Sequence, residues 1–311
     1  MARGWSPLAH AHEMLFGFAL AVVAGNQLGA LPRPRLFAML ALWAAARAAF
    51  LLFPESRTST GLNAAFAVVL ALHIVPRLLG AAKKLRNRAL PAILAALCAA
   101  AAFWGAPLLL PAVVLFALLM LFMGGRIIAP AVAGQLHRQG ERLDARVQPR
   151  IEGALLVAGV IALTQVFPLA PAALAAAGAL AAVRLARWRL WRVRGRPDLL
   201  CLAAGYAWLA LGLLALGAAL GAGRHLSAAF HLVTVGALGT LTFNVMAISW
   251  LLKARRPLDG APEIVAGTLL LAAATVCRVM DWLAIAATCW SAAFVLLCLL
   301  FLRNAPATRR A

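Results

Sequence analysis

At 311 residues, 65% hydrophobic and only 12% charged, with a mean hydropathy of +0.93, the chain lies outside the range of soluble globular domains and inside that of polytopic membrane proteins. A formal net charge of +20 would suggest nucleic acid if the basic residues formed one patch on a soluble fold. They fall instead in short clusters between long apolar runs, which argues against nucleic acid as a partner and makes the lipid bilayer the surrounding medium. Cys98, Cys201, Cys277, Cys289 and Cys298 sit within apolar runs, have no C-x-x-C spacing, and read as small buried hydrophobes.

A bilayer core takes about 20 apolar residues per helix. Charge clusters and Pro/Gly breaks divide the chain into eleven such runs, at about 9–30, 36–53, 61–81, 89–106, 108–127, 151–168, 171–191, 199–221, 226–252, 262–280 and 282–302. The expected fold is therefore all-α: a polytopic helical bundle of about eleven transmembrane helices, forming one transmembrane domain over 1–311. The first run carries His and Glu at its start and has no A-x-A-like cleavage site, so it reads as a retained helix.

If the connections alternate, nearly every Lys and Arg falls on one side. The other side receives only Arg3, Arg57 and Arg224, while Arg47 and Arg278 lie inside helices. In this count Arg77, Arg184, Arg187 and Arg189 snorkel from the last turns of their runs. The positive-inside rule then puts the N-terminus in the periplasm and the C-terminus in the cytoplasm of a bacterial inner membrane. The sizeable connection 128–150 is basic and suits a short interfacial helix facing anionic lipid. W-R-L-W-R at 188–192 reads as an interfacial anchor.

Ionisable groups inside a membrane are costly and call for a reason. His10, His12 and Glu13 lie in the first turns of the first run, and His225 and His231 in those of the ninth. This topology sets all four histidines at the depth of the outer leaflet, where they can ligate a metal or haem. The three-residue spacing makes His10 and Glu13 neighbours on one face, so that Glu13 can orient the His10 ring, while His12 points toward Phe16. Below His231, Gly236, Gly239 and Thr240 form a small-residue stripe, which permits close packing or leaves room for a flat macrocycle. Arg278 and Asp281, three apart, either pair with each other or leave Arg278 to meet a propionate or another anion. Arg47 can do the same or snorkel. His73 and His137 read as structural, Asn26, Gln27 and Asn244 as helix–helix hydrogen-bonders, and Tyr206 with Trp208 as packing.

H-A-H-E-M-L-F-G-F at 10–18 resembles the NnrS family of bacterial haem- and copper-containing membrane proteins linked to nitric oxide tolerance. K-L-R-N-R-A-L at 84–90, G-R-I-I-A-P at 125–130, G-Y-A-W-L-A-L-G-L at 205–213, H-L-V-T-V-G-A-L-G-T at 231–240 and C-R-V at 277–279 are similar to the family's pattern, in the same order. The chain departs from that pattern at 248–249, where it has I-S, and at 253–256, where it has K-A-R-R. Position by position, the resemblance carries over His10, His12, Glu13, His231, Gly236 and, loosely, Arg278. It implies haem b, with copper as a second candidate, bound by a set drawn from His10, His12 and His231, with Arg278 assisting and Glu13 and Gly236 behind the ligands. His225, from its depth, joins the metal candidates, and Gly239, from the stripe, stands with Gly236. It also implies a part in the nitric oxide response or in denitrification-linked metabolism, with nitric oxide or another diatomic as ligand.

Two other classes compete. A cofactor-free transporter is compatible with the helix count, but its polar groups would sit near the midplane on interrupted helices. An accessory or assembly subunit of a respiratory oxidase or reductase complex would co-purify with that complex. No nucleotide-binding loop, nucleophile–His–acid set or paired catalytic carboxylates is present in the sequence, and no reaction is assigned.

Overall fold

The computed structural model describes residues 6–142, 148–258 and 261–304, the side chains of Leu85 and Arg86 excepted. Arg3, Arg146, Arg309 and Arg310 of the sidedness argument lie outside the described residues. Among the described residues all regular structure is helical. The main helices are α1 (Pro7–Gln27), α2 (Arg33–Leu52), α3 (Arg57–Ala81), α4 (Ala89–Ala102), α5 (Ala106–Arg138), α6 (Pro149–Leu163), α7 (Leu169–Arg187), α8 (Pro197–Gly221), α9 (Ser227–Lys253), α10 (Pro262–Val279) and α11 (Leu283–Arg303).

Among the described residues nine of them, all but α4 and α6, are long and apolar enough to cross a bilayer by length and composition. The chain is thus a multi-pass helical membrane protein. The runs at 89–106 and 151–168 correspond to helices of only 14 and 15 residues. At about 1.5 Å per residue these are shorter than a hydrocarbon core of about 30 Å. Apolar residues continue past both helix ends, through Phe103 and Trp104 and through Val166 and Phe167, after the backbone has left the helix. Hydropathy does not report that exit.

The run at 108–127 errs the other way. Its helix continues to Arg138, through Pro130, in place of a separate interfacial helix. Ile128, Ala129, Val132, Ala133 and Leu136 recur at helical spacing and are all buried, so one apolar stripe keeps the segment in α5.

The chain forms two compact units, Met1–Leu119 and Met120–Ala311, the division falling within α5. In the first, Ser6 caps α1 by accepting from the Ala9 N–H at 3.1 Å, with Pro7 in the first turn. Ser56 caps α3 in the same way. Arg77 does not snorkel freely: Nη1 donates to the Leu28 carbonyl at 2.6 Å and Nη2 to that of Gln27, satisfying acceptors at the C-terminal end of α1. Gly29, at φ +67°, makes the turn beside it, where a Cβ would lie 2.8 Å from the guanidinium. Leu36, Phe37, Leu40, Leu51 and Leu52 on α2 are exposed, as a lipid-facing helix requires.

In the second unit α7 and α8 approach closely at glycines, and α8 and α9 are, with α5, the most buried spans. Gly205 and Gly212 on α8 receive Leu241 and Val233 of α9. Gly267 on α10 admits the Phe243 ring, beside Leu271, Ala293, Leu297 and Leu300. Asn244 donates to Thr268 Oγ1 at 2.9 Å across α9 and α10, the helix–helix bond expected of it. Asn244→Leu is expected to lower stability by about 0.6–1.7 kcal/mol, the range of interhelical hydrogen bonds in membranes, read from thermal unfolding in detergent.

Candidate functional site

His12 closes the opening α-helical turns of α1, and the next seven residues, Glu13–Ala19, follow π-helical i→i+5 bonding. Such segments are rare and occur often at functional sites. The ring is buried at 4% exposure and stacks on Phe50, with centroids 4.4 Å apart and planes 12° from parallel. Phe16 and Trp104 close around it at 5.8 and 6.0 Å.

His12 Nδ1 lies 3.2 Å from Glu13 Oε1. The same oxygen accepts from Arg47 Nη1, and Arg47 Nη2 donates to Asn63 Oδ1. Asn63 in turn donates to the Ser59 carbonyl at 2.8 Å. A carboxylate is an acceptor, so the contact calls for a proton on Nδ1, which in the neutral ring leaves the lone pair on Nε2. The i,i+3 spacing did not point to this partner for Glu13. The carboxylate engages His12, the next residue, while His10 lies exposed on the preceding turn. The expected approach of His12 to Phe16 is present.

In the second unit His231 ends the opening turns of α9, and Leu232–Gly239 is again π-helical. Its Nδ1 donates to the Ser227 carbonyl at 2.6 Å, which in the neutral ring likewise leaves the lone pair on Nε2. Arg278 pairs with Asp281 at 2.8 Å, and its other arm reaches Ser227 Oγ at 3.5 Å. Arg278 thus stands one helical turn from His231. His225 is exposed, ahead of the helix. At Gly236 a Cβ would lie 3.1 Å from both Trp208 and Thr275, and at Gly239 Trp290 fills the same space. The small-residue stripe is thus lined by close packing, to which Trp208 contributes.

A second charged cluster was only partly foreseen. Arg184 does not snorkel: it is fully buried, donates to the Leu121 carbonyl at 2.9 Å, and lies 3.8 Å from Glu152 Oε2. Arg126 meets Glu152 Oε1 at 3.1 Å and covers the Phe122 ring at 4.0 Å. Gly125 makes room for the Arg184 guanidinium and Gly124 for the Tyr206 ring. Trp188, expected as an interfacial anchor, is buried against Tyr206 with centroids 4.8 Å apart, while Trp191 is exposed.

Sequence reasoning missed Arg47, Asn63 and Ser59 as one network, and Ser227 as the His231 acceptor. The usable signal was there: Arg47 interrupts W-A-A-A-R-A-A-F, and Ser59 and Asn63 are four apart in an apolar run. Among the described residues, no group of three or more His, Cys, Asp or Glu side chains stands where it could hold a metal ion.

Membrane-length helices that carry buried polar networks define a multi-pass integral membrane protein. The chain matches the NnrS protein family over residues 2–306 and belongs to it, which ties this membrane protein to the nitric oxide response. No curated protein matches the chain, and no solved structure does.

Proposed function

We propose that the protein binds haem b in the bacterial inner membrane and acts in the nitric oxide response through it, its iron ligand drawn from His10, His12 and His231. The observation that carries this reading is the state of the His12 and His231 rings. Each holds Nδ1 to an oxygen acceptor, the arrangement that directs a neutral Nε2 lone pair at a metal. The donor chemistry fits: neutral imidazole suits iron and copper alike, and one or two imidazoles meet the axial needs of haem. Bound haem would supply an iron centre for nitric oxide or another diatomic. Phe50, Phe16 and Trp104 would keep water from His12, and Arg278 would face a propionate near His231. Copper, with His10 and His225 as further ligands, is the second cofactor proposed. The orientation proposed is a periplasmic N-terminus and a cytoplasmic C-terminus, from the distribution of Lys and Arg.

The test is a reduced-minus-oxidised spectrum with metal analysis on the purified protein and on His12→Ala and His231→Ala separately. A Soret band in the wild type that is lost or shifted in each variant is the expected result. A colourless, metal-free wild type would sink the cofactor reading; unchanged spectra in both variants would sink the ligand assignment.

A further inference from the structure

We propose that Arg47 is a positioning residue for His12, acting through Glu13 to hold the imidazole in one tautomer and one orientation. The inference rests on the reading of His12 as a ligand for its purpose, though not for its geometry. Both ends of the guanidinium fork are committed, Nη1 to Glu13 Oε1 and Nη2 to Asn63 Oδ1, so Arg47 ties α1 to α3 from its place on α2. It is held inside the protein at 11% side-chain exposure and neither snorkels nor stands ready for an external anion. The oxygen it binds on Glu13 is the one that faces His12 Nδ1. Phe50, three residues after Arg47 on the same helix, supplies the surface on which the ring stacks.

One helix therefore sets both degrees of freedom of the imidazole. Phe50 fixes the plane of the ring, and Arg47, through the carboxylate, fixes its rotation within that plane. Gly17 completes the device: a Cβ there would lie 2.8 Å from Glu13 Oε2 and against the guanidinium, so a side chain would push the carboxylate off the histidine. The Gly17 carbonyl is held in turn by Trp43 Nε1 at 2.9 Å, one helical turn before Arg47. A guanidinium suits this place because its planar fork meets two acceptors on two helices at once, which a point-charge ammonium does not reproduce.

The test reads the tautomer of His12 in protein purified without cofactor, from the 15N shifts of histidine-labelled samples, with His12→Gln to assign the signal. The wild type is expected to show His12 as the Nδ1–H form. Arg47→Met and Glu13→Gln are expected to lose that single population. Trp43→Phe removes a neighbouring helix–helix bond without touching the carboxylate, and should keep it. Haem titration into Arg47→Met is expected to show affinity weakened by about 10–100-fold, the usual effect of losing a group that orients a ligand. Where Arg47→Met does not fold, Arg47→Lys is read instead, with a mixed tautomer expected. A wild type lacking the Nδ1–H form, or a folded Arg47→Met or Arg47→Lys that keeps it, overturns the proposal. Absence of a Soret band in the wild type would remove the cofactor reading and leave the tautomer result standing.

Discussion

Glu152→Leu is expected to destabilise the protein by about 3–5 kcal/mol, the cost of removing one partner from a buried ion pair. The Arg184 guanidinium is fully buried within a membrane span, and Glu152, itself at 2% exposure, is the acid that faces it. Taking the carboxylate away leaves a charge that has no route to water. Arg126, the other partner of Glu152, keeps 29% of its side chain exposed and has the Phe122 ring beneath it, so it tolerates the loss better. The diagnostic is non-additivity. Arg184→Leu placed on the Glu152→Leu background should recover much of the lost stability, because two apolar side chains replace a desolvated pair. Thermal unfolding of the single and double variants in detergent measures this. A double variant as unstable as the sum of the singles would show that the two residues are not energetically coupled.

The same cluster shows where the sequence stopped being legible. Arginines in the last turn of an apolar run are expected to extend toward the headgroups, and nothing local distinguishes Arg184 from Arg187, which is exposed. What turns Arg184 inward is long-range: a carboxylate on α6 and a missing side chain at Gly125 on α5. Helix identity was easier to read, because runs of about 20 apolar residues are a one-dimensional signal. Even there, α4 and α6 fell short of their runs and α5 outran its own, since helix ends depend on caps and on a packed stripe rather than on hydropathy. At the candidate site the histidines stood out because polar residues within a span are costly. Their partners did not, because His12 and Glu13 are adjacent in sequence and adjacency normally points side chains apart.

The π-helical segments change that expectation, and among the described residues they appear twice. In each unit a histidine is followed directly by π-helical bonding, and the residue five places on is glycine: His12 with Gly17, His231 with Gly236. With i→i+5 bonding the residue one turn on from the histidine is the fifth rather than the fourth, and in both cases it lacks a side chain. The space is taken by neighbours, Glu13 and Arg47 at Gly17, and Trp208 and Thr275 at Gly236. The H-x4-G spacing is visible in the sequence, but a reading at 3.6 residues per turn assigns each glycine to another face. The same local arrangement thus opens a place beside the helix in both units, taken by a charged network in one and by Trp208 and Thr275 in the other.

Gly178→Ala and Gly217→Ala are expected to lower stability by about 1–3 kcal/mol each, the cost of overpacking a tight contact, and more than that if the helices cannot shift. The two glycines sit on opposite sides of the α7–α8 contact. A Cβ on Gly178 would lie 2.7 Å from the Leu214 nitrogen and 2.8 Å from the Ala210 carbonyl; one on Gly217 would lie 2.7 Å from both the Ala175 nitrogen and the Pro171 carbonyl. These neighbours are backbone atoms, so relief requires moving a whole helix rather than a rotamer. A helix that moves also disturbs Arg184, which rides on α7 and is bonded to Leu121 and Glu152. The control is the same substitution at Gly25 or Gly61, helical positions where nothing lies within 4 Å of the added carbon. There alanine should be neutral or should stabilise by about 0.5–1 kcal/mol, through lower backbone entropy in the unfolded chain. Opposite signs for the two pairs in thermal unfolding are the expected result. Equal effects at all four positions would mean that the α7–α8 approach is looser than the glycines indicate.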